Sequence, residues 1–272
     1  MNIITRNCIK KPVYTYEKVQ CVAILFILIP GYFIFEMVIV KPTLVKMFEM
    51  AVVKHSIHVI LSIFCYINVS GNMLMAIATD ASSKNNVKDG IYCKFCNRNR
   101  SQRSWHCRTC NVCILGRDHH CFFFSTCIGL YNRRYYILFL FYIIISMLYS
   151  SYYNYYYVSS KLEEHGFMIS VFRIINPLLR FITPEPMSVV DLYVLFFLLN
   201  ILLLVWITVL FCFHMRNVTR GVTTHESKNI STKRSIGWKN NLLSVFGRRW
   251  YFAILWPFIE SPLSDFIREE TD

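Results

Sequence analysis

Residues 93–127 read CKFCNRNRSQRSWHCRTCNVCILGRDHHCFFFSTC, and seven of the chain's 11 cysteines fall in this stretch. Two C-x-x-C pairs, Cys93 with Cys96 and Cys107 with Cys110, are followed by Cys113, Cys121 and Cys127, with His106, His119 and His120 interleaved. A gap of two residues lets two thiolates converge on one ion from a tight turn, and zinc takes four sulfur or imidazole ligands in a tetrahedron. The stretch offers more candidate ligands than two closed zinc sites would use. Spacing alone leaves open which groups are spare.

The surroundings are apolar. Of the 272 residues 55% are hydrophobic and 16% aromatic, too many for most soluble domains of this length. Four stretches are long enough to cross a bilayer as helices: Val19 to Val40, His55 to Ala76, Tyr135 to Val158 and Val189 to Met215. Phe167 to Thr183, which carries Arg173, Pro177 and Arg180, reads as an interfacial helix between spans three and four. The stretch WYFAILWPFI after Arg249 is too short to cross and, with its tryptophans, is expected at headgroup level. No internal repeat is read, and no cleaved signal is expected at the amino terminus.

The net charge of +13 is unevenly placed. Of the 29 Lys and Arg residues, all but Lys41, Lys46, Lys54, Lys161, Arg173 and Arg180 fall on one side of a four-span topology, the side of both termini and of the cysteine-rich stretch. That side is expected to be cytosolic. Topology and attraction to anionic headgroups account for the basic charge, so nucleic acid is not expected as a partner. A cytosolic setting keeps thiols reduced, which favours metal over disulfides. The expectation is an all-α polytopic membrane protein: a cytosolic amino terminus (1–18), transmembrane helices one and two (19–78), a cytosolic cysteine-rich double-zinc domain (79–134), helices three and four with a lumenal interfacial segment (135–215), and a cytosolic tail (216–272).

The cysteine-rich stretch resembles the DHHC-type membrane protein S-acyltransferases, or palmitoyltransferases. Their pattern, C-x2-C-x9-H-C-x2-C-x2-C-x4-D-H-H-C-x5-C, is present at every position from Cys93 to Cys127. The resemblance implies one structural zinc on Cys93, Cys96, His106 and Cys113, and a second on Cys107, Cys110, His120 and Cys127. It leaves Cys121 as nucleophile, His119 as base and Asp118 as the orienting carboxylate. A free thiol with a pKa of about 8.5 is only a few per cent ionised at neutral pH, so such a base is needed. The implied activity is transfer of a long-chain acyl group from acyl-CoA to Cys121, then to cysteines of membrane-proximal substrate proteins. Membranes of the endoplasmic reticulum or Golgi are the implied location.

Two tail motifs extend the likeness. TTHE supplies Thr223, Thr224 and Glu226, similar to the family's Thr-Thr-x-Glu, with a threonine hydroxyl expected to reach Asp118. Asn241, four residues before Val245-Phe246-Gly247, is similar to a second family motif. The chain departs from the family at Asp80-Ala81-Ser82, Ser101, Phe123 and Thr126, and Phe123 lacks the N–H donor of the usual tryptophan. Arg98, Arg100, Arg103, Arg108 and Arg117 are candidates for the CoA phosphates. Nine tyrosines of span three are expected as anchors and packing groups, one or two of them closing an acyl slot. The alternative reading is a catalytically silent membrane scaffold whose zinc domain binds a partner.

Overall fold

The computed structural model describes residues 15–42, 45, 52–83, 87, 90–162, 189–229 and 236–263. Cys8, the segment from Phe167 to Thr183 and the acidic end after Phe266 lie outside the described residues.

Four long helices carry the apolar stretches: α1 (Thr15–Val40), α2 (Val52–Ala78), α3 (Arg133–Leu162) and α4 (Val189–Thr219). Each is long and apolar enough to cross a membrane. In α1 the turns widen to π-helical geometry at Ile24–Leu28 and again at Phe35–Val40. Pro30 lies just beyond the first of these, where its missing N–H interrupts the regular ladder. Among the described residues three short helices follow α4: α5 (Thr224–Asn229), α6 (Trp238–Phe246) and α7 (Trp250–Leu255).

The expectation of an all-α chain is corrected between α2 and α3. There the backbone forms six short strands, β1 (Ile91–Cys93), β2 (Arg98–Arg100), β3 (Ser104–Cys107), β4 (Val112–Leu115), β5 (His119–Cys121) and β6 (Thr126–Ile128), paired as three antiparallel hairpins. Elements this small bury little by themselves. The cysteine-rich turns bring together Cys and His groups that could hold metal ions.

The chain divides into two compact units. The first draws on Met1–Ile29, Ile67–Leu140 and Phe211–Asp272, and holds the hairpins. Its interior is Ala81, Val112 and Ile114 packed with Cys107, Cys110 and Cys127. The segment after α2 lies along β4: Leu115 N–H donates to the Ala81 carbonyl at 3.0 Å and Ser83 N–H to the Cys113 carbonyl at 2.8 Å. Asp80 closes the preceding turn by accepting from the Ser82 amide and hydroxyl. Asn132, fully buried, ties three elements together. Its amide donates to the carbonyls of Ala76 (2.9 Å) and Cys127 (3.0 Å), and its oxygen accepts from Gly129 N–H (2.8 Å).

The tail is held in the same unit. Asn241 donates to the Thr219 carbonyl at 2.8 Å, satisfying a helix-end acceptor, and Arg134 donates to the carbonyls of Ile259 and Ser261. Gly247, at φ +76°, sits where a Cβ would fall 2.4 Å from the Ser261 hydroxyl oxygen, so only glycine fits. Helix α7 leaves Trp250, Tyr251, Phe252 and Leu255 exposed.

The second unit comprises Pro30–Tyr66 and Phe141–Leu210. Its core is Val40, Tyr157, Val158 and Val194, flanked by Phe35, Tyr153 and Tyr193. Several polar groups among its described residues are paired. Asn154 donates to Glu36 at 2.5 Å, Asn200 bonds the Tyr32 hydroxyl at 2.5 Å and accepts from Ser151 at 2.9 Å, and His58 bonds the Tyr149 hydroxyl at 2.6 Å. Among the span-three tyrosines, Tyr135, Tyr136, Tyr142 and Tyr157 are buried, whereas Tyr152 and Tyr155 are exposed.

Candidate active site and metal centres

The hairpins share one plan. In each, a four-residue turn is closed by register partners: Cys93 with Arg98, Cys107 with Val112, Cys121 with Thr126. Just before the turn closes, Asn97 (φ 50°), Asn111 (φ 55°) and Ser125 (φ 52°) adopt the left-handed conformation. Asparagine tolerates it because its short polar side chain bonds locally. All these positions recur every 14 residues, a repeat that the linear reading lacked because only some of the repeated positions carry the same residue type.

The repeat explains the two clusters. Cys93, Cys96, His106 and Cys113 bring their ligand atoms within 4.8 Å of one another, and so do Cys107, Cys110, His120 and Cys127, each 14 residues further on. Every cluster takes its C-x-x-C turn from one hairpin and a cross-strand His–Cys pair, His106 with Cys113 or His120 with Cys127, from the next. Sulfur-to-Nδ1 distances are 3.8 and 3.4 Å in the first cluster and 3.9, 3.4 and 3.6 Å in the second. The Cys96–Cys113 and Cys110–Cys127 sulfurs are each 3.6 Å apart. A tetrahedral zinc requires ~3.6 Å between nitrogen and sulfur and ~3.8 Å between sulfurs, given its bond lengths. The two clusters could therefore hold two zinc ions, each stapling one hairpin to the next.

In the third hairpin Cys121 occupies the place of Cys93 and Cys107, but Phe124 stands where the second cysteine would be. Phe124 is 1% exposed and packs edge-on against Tyr136 (5.6 Å) and Phe139 (5.0 Å) of α3. Among the described residues no fourth hairpin follows to supply a His–Cys pair, and an aromatic contact with the helix stands where the other hairpins have a Cys–His cluster. Phe124→Ala is expected to destabilise the protein by about 3–5 kcal/mol, against under about 1.5 kcal/mol for Phe124→Leu. Thermal unfolding of the purified protein in detergent, with zinc content measured alongside, checks both values.

Strand alternation separates the two adjacent histidines. Successive side chains of β5 point to opposite faces, so His120 turns to the second cluster while His119 and Cys121 share the other face. There His119 Nδ1 lies 2.8 Å from Asp118 Oδ2, with the Cys121 thiol on the same face of the strand. Asp118 is buried and held on all sides. Thr224 N–H donates to Oδ1 and its hydroxyl to Oδ2, both at 2.9 Å; Arg133 stands 3.3 Å from Oδ1 and His214 Nδ1 3.5 Å from Oδ2. Burial by itself would raise the carboxyl's pKa, but the Arg133 charge, the His119 bond and both imidazoles hold it well below the usual range. Burial opposes the imidazolium of His119, yet the bonds and charges of Asp118 and Cys121 prevail and raise it to about 9.

The TTHE stretch is a capping box for α5. Thr223 N–H donates to Glu226 at 2.8 Å while Glu226 N–H donates to the Thr223 hydroxyl at 3.1 Å. Glu226 also receives a bidentate ion pair from Arg103, at 2.8 and 2.9 Å. This fixes the tail helix to the hairpins and presents Thr224 to Asp118. Arg103 is thereby committed to Glu226, and Arg98 and Arg100 donate to the carbonyls of Ser83 and Ser104. Arg108 is exposed, and Arg117 keeps a buried Nε without a hydrogen bond. Phe123 is exposed and Thr126 buried.

A family model described as DHHC palmitoyltransferase matches residues 86–231, more than half of the chain. The chain belongs to this family. No curated protein matches it.

For this family member, sequence reasoning passed over three groups around the site. His214, on α4, bonds the Tyr136 hydroxyl at 3.3 Å and faces Asp118. Arg133 neutralises the same carboxylate, and Glu17 reaches His120. The signal for His214 was an ionisable residue inside an apolar stretch, which by default points to function. Asp118, His119 and His214 also come within 4.8 Å of one another. With Arg133 alongside and Thr224 donating twice to Asp118, that group fits a hydrogen-bonded carboxylate better than a cation site.

Proposed function

We propose that the chain is a protein-cysteine S-acyltransferase that moves a long-chain acyl group from acyl-CoA, through a thioester on Cys121, to cysteines of membrane-associated proteins. The observation that carries this reading is the face of β5 on which His119 and Cys121 lie together, with Asp118 on the far nitrogen of the imidazole. Eight other Cys and His side chains are drawn into the two clusters and leave this trio free of them.

His119 takes the Cys121 proton as the sulfur attacks the acyl carbonyl carbon, and Asp118 stabilises the imidazolium that results. The bond from that carbon to the CoA sulfur breaks, and the departing CoA thiolate receives the proton from His119. In the second half His119 deprotonates the acceptor cysteine, whose sulfur attacks the Cys121 thioester and releases the Cys121 thiol. Zinc, when bound, has four protein ligands in each cluster and acts as a structural staple.

The excess of Lys and Arg on the side of the hairpins supports a cytosolic site, and the exposed aromatic face of α7 suits the headgroup layer. Arg108 and Arg117 are the cations best placed by their surroundings to meet CoA phosphates, since Arg98, Arg100 and Arg103 already have protein partners.

The test is labelled acyl-CoA offered to the purified protein without an acceptor. One acyl group per chain, released by neutral hydroxylamine, together with parallel double-reciprocal plots when an acceptor is added, is expected. Protein that holds two zincs and takes up no label would instead favour the silent scaffold.

A further inference from the structure

Glu17 stands near the start of α1, in the end of an apolar span, yet it is fully buried. Its Oε2 lies 2.9 Å from His120 Nε2. The other ring nitrogen, Nδ1, is the atom that meets the sulfurs of Cys107, Cys110 and Cys127. We infer that Glu17 is a positioning residue for the second metal cluster, holding His120 in the tautomer and ring orientation that present Nδ1 to the ion. This rests on the reading of that cluster as a zinc site.

The chemistry is that of a histidine ligand whose second nitrogen needs a fixed acceptor. A carboxylate on Nε2–H keeps the proton there, leaves the Nδ1 lone pair for the metal and makes the imidazole a stronger donor. Burial of the carboxylate away from water demands such a partner. The Tyr16 hydroxyl, 3.4 Å from Oε1, adds only a long contact. Glu17 and Cys21, one helical turn apart, are the two buried residues of the first stretch of α1, so this turn of the helix presents one face to the protein. His120 is followed directly by Cys121, so the carboxylate ties the beginning of span one to the strand that carries the reactive thiol.

Zinc release from the full-length protein in detergent, followed with a chromogenic chelator, tests this without reference to transfer activity. The wild type is expected to hold two zincs. Glu17→Gln keeps the side chain's size but replaces the carboxylate, and is expected to weaken one zinc by about 10–100-fold while the other is released as in the wild type. The unchanged zinc reports that the fold is intact. In a His120→Cys background the ligand has no second nitrogen, and Glu17→Gln should then add nothing. Identical release from Glu17→Gln and wild type would overturn the inference. So would weakening of both zincs together, or an equal loss in the His120→Cys background, since Glu17 would then act through packing. A wild type that binds no zinc would overturn the metal reading and this inference with it.

Discussion

Cys121→Ser is expected to abolish the acyl-enzyme and to lower transfer by roughly a thousandfold or more. Serine fills nearly the same volume on β5 and keeps a hydroxyl beside His119, so the change isolates nucleophilicity from shape. An alkoxide is far harder to generate than a thiolate, and the imidazole that suffices for the thiol is too weak a base for the alcohol. Any residual acyl group would be an oxygen ester, resistant to neutral hydroxylamine. Because Cys121 belongs to neither four-residue cluster, the variant should bind as much zinc as the wild type and melt at the same temperature. Acyl labelling, zinc content and thermal unfolding of the same preparation decide the matter. Loss of one zinc in this variant would make Cys121 a ligand and end the proposed mechanism.

Asp118→Asn should be nearly as damaging, by about 10²–10⁴-fold in transfer. The carboxylate accepts from His119 and twice from Thr224, with Arg133 and His214 beside it, so it serves as a pure acceptor with two oxygens. An asparagine offers one acceptor and one donor. Whichever way the amide turns, its NH2 faces a group that is itself a donor, and the charge that offsets Arg133 is gone. If the NH2 faces His119 Nδ1, the ring takes the tautomer with its proton on Nε2 and can no longer accept from Cys121. The expected signature is a parallel fall in the rate of Cys121 alkylation by iodoacetamide and in acyl-enzyme formation, at unchanged zinc content. Wild-type alkylation in this variant would show that Asp118 does not act through His119.

Much of this molecule follows from local features of the chain. Each of the four long helices is a run of apolar residues, and helix formation pairs the backbone groups within such a run without another segment, so length and composition suffice. The metal-ligating residue types declare themselves by spacing, and the capping box in TTHE involves groups three residues apart. What the hairpins do with those residues depended on pairing between strands. The resemblance assigned His119 and His120 different roles without a geometry; the pleat of β5 supplies it by sending them to opposite faces, one to the thiol and one to the metal cluster. The packing of Phe124 on α3, where a second cysteine would stand in the third hairpin, likewise has no signature in the stretch itself. Glu17 meets His120 from 103 positions away and Glu226 meets Arg103 from 123. Such partners are selected by the folded backbone, because a carboxylate buried beside a cation or an imidazole is stable only once tertiary structure has removed water from both.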